Sequence, residues 1–216
     1  MTILAYFLII YSRIYNAKYI KENDMPPRTR ITKEAILESA FNLTRKHGIE
    51  FVTAKSLAKE LHCSTQPIYW VFENMDNLRT EIVVKANDLY NIYFHREHEN
   101  LEAIKAVGIN YILFAKEEPN LFKLLFMTDR EKDISIFKST LDDNKAEYIS
   151  LIEKKLNFNV KQANQYYVAM WVFSHGIATM LVSNLTAFTM KEISTLLTLT
   201  SKGVIAQIRG NYYDRS

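Results

Sequence analysis

The chain has 216 residues, 48% of them hydrophobic, with only five glycines and four prolines. This composition can bury a sizeable core and is not that of a disordered protein. The single cysteine, Cys63, excludes an internal disulfide, and no Cys and His residues have metal-ligand spacing. We therefore expect a cytoplasmic protein without a metal or other cofactor.

The first 24 residues form an extra segment that opens with an apolar run from Ile3 to Tyr11. This run is too short to span a bilayer as a helix. It is also a poor secretory signal, because its basic residues follow the run and no small-residue cleavage site appears. Met25 begins a basic arm and is a candidate start, so residues 1–24 are treated as separate from the folded domains.

Two short helices are predicted after the basic arm. The first runs from about Thr32 to His47 and is ended by Gly48, which can adopt the positive φ of a helix terminus. The second has the sequence AKSLAKELH and is capped by Thr53. Its apolar residues face the core, whereas Lys55 lies on the other side.

A third helix is predicted in the stretch STQPIYWVF, residues 64–72. Ser64 is the expected N-cap, and Pro67 falls in the first turn, where a missing N–H group costs little. Helical spacing places Ile68 and Phe72 toward the core. The opposite side is then free for contact, and it carries Thr65, Gln66, Tyr69 and Trp70.

The short connection between the second and third helices indicates a helix-turn-helix, whose second helix enters the DNA major groove. The alternative is an ordinary core helix with Trp70 as a buried anchor. Charge favours the first interpretation, because residues 25–72 carry seven Lys or Arg against four Asp or Glu, while residues 73–216 carry seventeen against eighteen. So small an excess predicts weak DNA binding by one copy and favours two copies acting together.

The stretch TAKSLAKELHCSTQPIYWVFENMDNLRTEIV resembles the DNA-binding domain of the TetR family of bacterial transcriptional regulators. The similarity extends from about Ile31 to Val83. It depends on the threonine that opens the second helix, the serine at the turn and a set of apolar and aromatic positions. These positions are Leu57, Ala58, Tyr69, Phe72 and Leu78.

This chain departs from the family pattern at three places. His62 and Cys63 stand where the family usually has Gly-Val, Val71 replaces a histidine, and Met75 replaces a lysine that contacts phosphate. His62 can adopt the left-handed conformation required there, and Cys63 is expected to pack as a small apolar residue. The remaining phosphate contacts are expected from Lys55, the helix terminus at Thr53 and the Tyr69 hydroxyl.

The resemblance implies a homodimeric, ligand-responsive regulator, a repressor that binds a double-stranded DNA operator and leaves it when a small apolar effector binds. It assigns a helix-turn-helix domain to residues 25–73 and an effector-binding and dimerisation domain to residues 74–216. The expected DNA-binding residues are Thr53, Lys55, Ser64, Thr65, Gln66, Pro67, Tyr69 and Trp70.

The larger domain is predicted to be helical, giving an all-α protein of about nine helices. Its six helices are expected near residues 74–97, 101–118, 119–127, 134–156, 160–184 and 190–209. Polar residues interrupt the last two apolar stretches, so no stable membrane insertion is expected. In the family the last two helices form the dimer interface, for which the candidates here are Val172, Ile193, Leu197 and Ile205.

Candidate effector contacts combine aromatic and adaptable apolar side chains with a few polar groups. Core packing explains the same residues equally well, and a lone histidine on an apolar helix is more often a satisfied core residue. The candidates are Tyr111, Phe114, Phe122, Phe126, Met127, Trp171 and His175.

An enzyme is not expected, because the sequence has no Gly-rich phosphate loop and no nucleophile constellation. The alternative function is that of a TetR-like helical binding protein whose DNA function is lost or redirected to a protein or membrane partner. Val71, Met75 and the apolar segment near the N-terminus are the features that favour this alternative.

Overall fold

The computed structural model describes residues 31–99, 102–128 and 135–210. Within these ranges every regular element is a helix, which confirms the all-α prediction. A short 3₁₀ helix, Ile49–Phe51, separates the first two of nine α-helices. These are α1 Lys33–His47, α2 Ala54–Glu60, α3 Gln66–Phe72, α4 Met75–Phe94, α5 Ala103–Glu117, α6 Pro119–Phe126, α7 Ser135–Leu156, α8 Val160–Val182 and α9 Met190–Ile208. The predicted segment 1–24 and the basic arm up to residue 30 lie outside the described residues.

Local signals set the ends of the first helices. Gly48 follows α1 with a φ of +90°, as predicted for a helix terminus. Thr53 and Ser56 form a capping box at α2, in which each hydroxyl accepts the other residue's N–H, at 3.1 and 2.9 Å. His62 has a φ of +51°, the left-handed conformation expected of it after α2. Buried side chains join these helices into one small core, among them Ile36, Leu57, Ile68, Phe72 and Leu78.

The predicted cap of α3 is wrong by one residue. The N-cap is Thr65 rather than Ser64, and no side chain accepts a capping hydrogen bond there. Thr65 already has helical angles, with φ −73° and ψ −16°, and its carbonyl accepts the N–H of Ile68 at 3.2 Å. Pro67 lies in the first turn as predicted. Cys63 is only half-buried, so the expectation that it packs as a buried apolar residue is not met.

The helix α4 connects the helix-turn-helix to the larger set of helices. Its N-cap is Asn74, whose side chain accepts the N–H of Asn77 at 2.8 Å. Asn74 directly follows Glu73, which is the C-cap of α3. The 20 residues of α4 span about 30 Å at 1.5 Å per residue. The two-domain division predicted at residues 73 and 74 therefore falls between two helix caps, and it stays a prediction.

The larger core is built mainly from α5, α8 and α9, with α7 packed against them. Side-chain capping boxes start α8 at Asn159 and α9 at Thr189. No helix in the described part of the chain is long and apolar enough to cross a membrane. The most deeply buried apolar side chains of this core include Ile112, Ile152, Tyr166, Ile193 and Leu197, and burial of each stabilises the fold by about 1.5–3 kcal/mol.

Candidate functional site

The outward side of α3 is the first candidate site. Ile68 and Phe72 are 1% and 3% exposed and hold α3 on the core, whereas Tyr69 is 46% and Trp70 is 76% exposed. The alternative in which Trp70 is a buried core anchor is therefore wrong. We call the exposed side of this helix and its preceding turn the α3 surface, and it comprises Ser64, Thr65, Gln66, Tyr69 and Trp70.

The start of α2 supplies further polar groups. The capping box occupies the N–H groups of Thr53 and Ser56, so the N–H groups of Ala54 and Lys55 are left in the first turn without an intrahelical acceptor. The Lys55 side chain is exposed beside them. Two N–H groups at a helix N-terminus with a nearby ammonium can bind an anion such as a phosphate.

The chemistry of the α3 surface suits a polar and aromatic partner. The Gln66 amide can donate and accept at once, as recognition of adenine in the major groove requires. Hydroxyls of Thr65 and Tyr69 can donate to phosphate oxygens. α3 itself carries no Lys or Arg, so positive charge comes from the exposed Lys55 and Lys59 of α2. Pro67 lies in the first turn of α3 and is half-buried, and its contact with DNA stays a prediction.

A cavity of about 390 Å³ forms the second candidate site, which we call the central cavity. This volume lies within the range of about 300–1,000 Å³ that is usual for small-molecule sites. The cavity is bounded by α4, α5, α7, α8 and α9, with Phe126 contributed by α6. Its aromatic lining consists of Tyr90, Phe94, Tyr111, Phe126, Tyr148, Tyr166, Tyr167 and Trp171, and its polar lining includes Glu102, Lys105, Asn144, Lys145, Ser174, Thr198, Ser201 and Lys202.

Three of the seven predicted effector contacts, Tyr111, Phe126 and Trp171, line the central cavity. Phe114 and Phe122 do not line it, because both are 0% exposed and pack in the core behind its wall. Met127 is exposed just beyond the end of α6 and is not part of the lining. The positions of Phe114, Phe122 and Met127 therefore do not support the prediction that they contact a ligand directly.

His175 lies behind the cavity wall. Its Nδ1 atom is 2.9 Å from the Tyr111 hydroxyl, and its ring stacks on Trp171 at a centroid distance of 5.6 Å. Burial lowers the pKa of His175 below its usual value, which favours the neutral ring. A neutral Nδ1 can accept a hydrogen bond from the Tyr111 hydroxyl, so His175 orients a lining residue rather than lining the cavity itself.

Several lining residues were not predicted. Tyr148 and Tyr166 are held by hydrogen bonds to the Ile104 carbonyl, at 2.9 Å, and to the Ser201 hydroxyl, at 2.7 Å. On α8 the residues Tyr166, Met170 and Ser174 recur every four positions, a signal that could have found this wall. Lys105, Lys145, Lys202 and Tyr90 carry no comparable signal, since several faces of their helices are partly apolar.

A polar contact joins the cavity wall to the helix-turn-helix. The Glu118 carboxylate at the start of α6 is 8% exposed and accepts two hydrogen bonds from Arg45 of α1, that from Nε at 2.8 Å. Glu118 raises the pKa of the Arg45 guanidinium. The Asn120 amide donates to the Arg45 carbonyl at 2.9 Å. α6 therefore touches α1 at its start and the central cavity at its end, through Phe126.

The four predicted dimer residues occupy different environments. Val172 on α8 is 56% exposed. Ile193 and Leu197 are 0% and 2% exposed and belong to the core of the single chain, so their predicted role at an interface is corrected to a core role. Ile205 is partly buried and lines the central cavity. Of the four, Val172 alone has a largely free side chain.

Comparison with known proteins gives a result for structure only. No family model matches the sequence, and no curated protein sequence is similar to it. Solved structures do match, the first being a protein from a Rhodococcus species described as a TetR-family transcriptional regulator. It is 12% identical, with a TM-score of 0.51 over 80% of this chain and 97% of that one.

Two further structures are similar at lower scores. A TetR variant from Acinetobacter baumannii AYE in complex with minocycline is 16% identical, with a TM-score of 0.48 over 83% of this chain and 95% of that chain. AibR in complex with isovaleryl coenzyme A and operator DNA is also 16% identical, with a TM-score of 0.45 over 81% and 96%. The similarity to the Rhodococcus structure shows that the chain has the TetR-family fold, an N-terminal helix-turn-helix followed by a larger helical domain.

Proposed function

We propose that this chain is a ligand-responsive, DNA-binding transcriptional regulator, a cytoplasmic repressor rather than an enzyme. One arrangement carries the proposal: the exposed α3 surface lies at the start of α4, and Tyr90 and Phe94 near the end of the same helix line the central cavity. A single rigid element thus reaches both a surface suited to DNA and a cavity of ligand size.

In this proposal α3 enters the major groove of an operator. Gln66 contacts a base edge, Thr65 and Tyr69 contact the backbone or a neighbouring base, and Trp70 packs on sugar or a thymine methyl group. Lys55 and the start of α2 bind a phosphate. Because α3 carries no basic residue, one copy holds DNA weakly, and two copies on a two-fold operator supply the affinity.

The effector acts by binding a conformation that does not fit the operator. A ligand shifts such an equilibrium only by its difference in affinity for the two conformations, and DNA must weaken ligand binding by the same factor. Two physical connections can carry this coupling. One is α4, and the other is the contact of Glu118 and Asn120 with Arg45 of α1.

Two copies associate through the outward faces of α8 and α9. On α8 this face has the exposed Val172 and, one turn later, Gly176, where an added Cβ would meet no atom within 4 Å. On α9 it has the exposed Leu199, followed after four residues by Gly203, which is equally open. Apolar and small residues in these rows let a second pair of helices approach closely.

DNA binding by the purified full chain tests the proposal. The region upstream of its own gene should bind at least about a thousandfold more tightly than random DNA of the same length at physiological salt. Gln66→Ala should reduce the preference between sequences, whereas Lys55→Ala should weaken all sequences alike and lower the salt slope by about one unit. Lys154→Ala, at an exposed site on α7, is the matched control and should change neither.

Equal affinity for upstream and random DNA at every salt concentration would reject the regulator and favour the second candidate. That candidate is a helical binding protein of the same fold that acts on a protein or membrane partner. The absence of Lys and Arg from α3 is the observation in its favour.

The oligomeric state tests the second part of the proposal. Light scattering should give the mass of a dimer for the unmodified chain and of a monomer for Val172→Glu. Ile92→Glu is the matched control, since Ile92 is similarly exposed but lies on α4. A Val172→Glu chain that stays folded and dimeric would place the interface elsewhere.

A further inference from the structure

The charges around the central cavity are unbalanced. Lys105 of α5, Lys145 of α7 and Lys202 of α9 line it from three different helices, and Glu102 is the one acidic residue of the lining. Among the ion pairs of the described residues, none includes any of these three ammonium groups. Lys145 lies over the Tyr167 ring, with Nζ 5.7 Å from the centroid. The cavity therefore combines an apolar lining with an excess of positive charge.

Exposed lysines are ordinarily no more than solvated surface charges. These three differ because they converge from separate helices on one apolar space, and Lys105 is half-buried. Field lines from charges around a low-dielectric cavity are focused into it, which raises the local concentration of anions. An anion within the cavity would gain from all three ammonium groups, whereas a cation would be repelled.

Two hydroxyls of the lining give a second indication that the cavity takes a ligand. Tyr90 and Ser174 line it, each is 5% exposed, and neither hydroxyl has a hydrogen-bond partner among the described residues. Other hydroxyls of the same lining are satisfied, as those of Tyr148 and Tyr166 are. A lining hydroxyl that has no partner within the protein can donate to a molecule within the cavity.

We propose that the ligand of the central cavity is an organic acid with a mostly apolar body. The body packs on side chains such as Ile104, Met170 and Leu197, and the carboxylate is held by the ammonium groups of Lys105, Lys145 and Lys202. Tyr90 and Ser174 donate hydrogen bonds to ligand oxygens. This assignment rests on the proposed function of the cavity as the effector site, and it adds a carboxylate to the small, largely apolar effector expected from the sequence.

Three probes of equal chain length separate charge from hydrophobicity: decanoate, 1-decanol and decyltrimethylammonium, the two ions below their micellar concentrations and the alcohol below its solubility limit. Isothermal titration with the full chain should show decanoate binding at least about tenfold more tightly than decanol, and the cation most weakly. The triple variant Lys105→Gln, Lys145→Gln, Lys202→Gln should lose the preference for decanoate while its affinity for decanol is unchanged.

The matched control replaces lysines that are exposed and lie away from the cavity. The triple variant Lys154→Gln, Lys161→Gln, Lys191→Gln makes the same change in net charge and should keep the preference for decanoate. If both triple variants lose it equally, net charge alone explains the preference and the proposal is overturned. Equal binding of decanoate and decanol, or no binding of any probe, also overturns it.

The test is independent of DNA. Specific operator binding together with equal binding of the three probes would refute the organic-acid ligand and leave the proposed regulator intact. A decanoate preference that depends on the three lysines, in a chain that does not bind DNA specifically, would support the ligand class and refute the regulator.

Discussion

The aromatic residues of the two candidate sites are placed differently, on the surface at α3 and mostly inside the molecule around the central cavity. In the helix-turn-helix, Tyr69 and Trp70 project from the surface, whereas Tyr90, Tyr111 and their neighbours beyond it are packed around a cavity. Both arrangements leave aromatic surface without a complete set of internal contacts. A macromolecule can reach Tyr69 and Trp70 on the surface, whereas only a molecule small enough to enter the cavity can reach the second group. The position of each group therefore indicates which kind of partner contacts it.

The two regions also differ in how polar groups are satisfied. At α2 the capping box bonds two backbone N–H groups using residues three positions apart. The larger region has such capping boxes too, at α8 and α9, but it adds bonds that span long sequence distances, as between Tyr111 and His175. The first kind of contact follows from local sequence, and the second exists only once the helices have packed. Mutations that separate the roles of inward and outward residues test this comparison.

The largest effect is expected for removal of the inward aromatic residue of α3. Phe72→Ala should lower the free energy of unfolding by about 3–5 kcal/mol, because it empties a fully packed site. Trp70→Ala, two residues earlier on the outward side, should change it by less than about 0.5 kcal/mol and should instead weaken DNA binding. Urea denaturation monitored by circular dichroism measures both. Comparable losses of stability in the two variants would contradict the division into inward and outward sides.

An intermediate effect is expected at the contact between the two regions. Arg45→Met leaves the buried Glu118 carboxylate without its partner and should cost about 2 kcal/mol of stability. The matched control is Lys85→Met, which breaks the exposed ion pair of Lys85 with Glu38 and should cost less than about 1 kcal/mol. The same denaturation assay applies. If the control costs as much as Arg45→Met, burial of Glu118 does not distinguish the two pairs.

The smallest effect concerns the pH dependence of stability. Burial holds the pKa of His175 below its usual 6.5 in the folded chain. As the pH falls below 6.5 the unfolded chain binds a proton that the folded chain does not, so the free energy of unfolding decreases. His175→Gln should therefore reduce the loss of stability between pH 7 and pH 5.

His95 provides a control of opposite sign. Its hydrogen bonds, first to the Asn91 carbonyl and then to Glu147, raise its pKa in the folded chain. It therefore adds stability at low pH that is lost as the pH rises, and His95→Gln should enlarge the loss of stability on acidification. Urea titrations at half-unit steps of pH measure both slopes. Unchanged slopes in the His175→Gln chain would show that this histidine titrates normally.

Most of the fold could be predicted because its signals are local. Gly48, Thr53 and His62 each set a helix end by their own backbone or capping preference. The prediction for the start of α3 is one residue off because Ser64 and Thr65 are adjacent and have similar capping preferences, so the sequence does not distinguish them. Capping preferences alone do not settle which of the two residues caps the helix.

The candidate sites were predictable to different extents. The α3 surface follows from one helix with one buried side, since Ile68 and Phe72 fix the direction of Tyr69 and Trp70. The central cavity depends on five helices at once. Ile193 and Leu197 illustrate the difficulty, because the same apolar row suits a core and an interface, and the arrangement of α5 and α8 around α9 decides for the core.

Both tryptophans of the chain lie at candidate sites, Trp70 on the α3 surface and Trp171 in the wall of the central cavity. Indole emission shifts with solvent exposure, so the intrinsic fluorescence contains one reporter for each site. Trp70→Phe leaves emission from the cavity alone, and Trp171→Phe leaves emission from the α3 surface alone. A ligand that alters the Trp70 signal in the Trp171→Phe chain must transmit its binding across the molecule, so the coupling between the sites becomes visible without any attached dye.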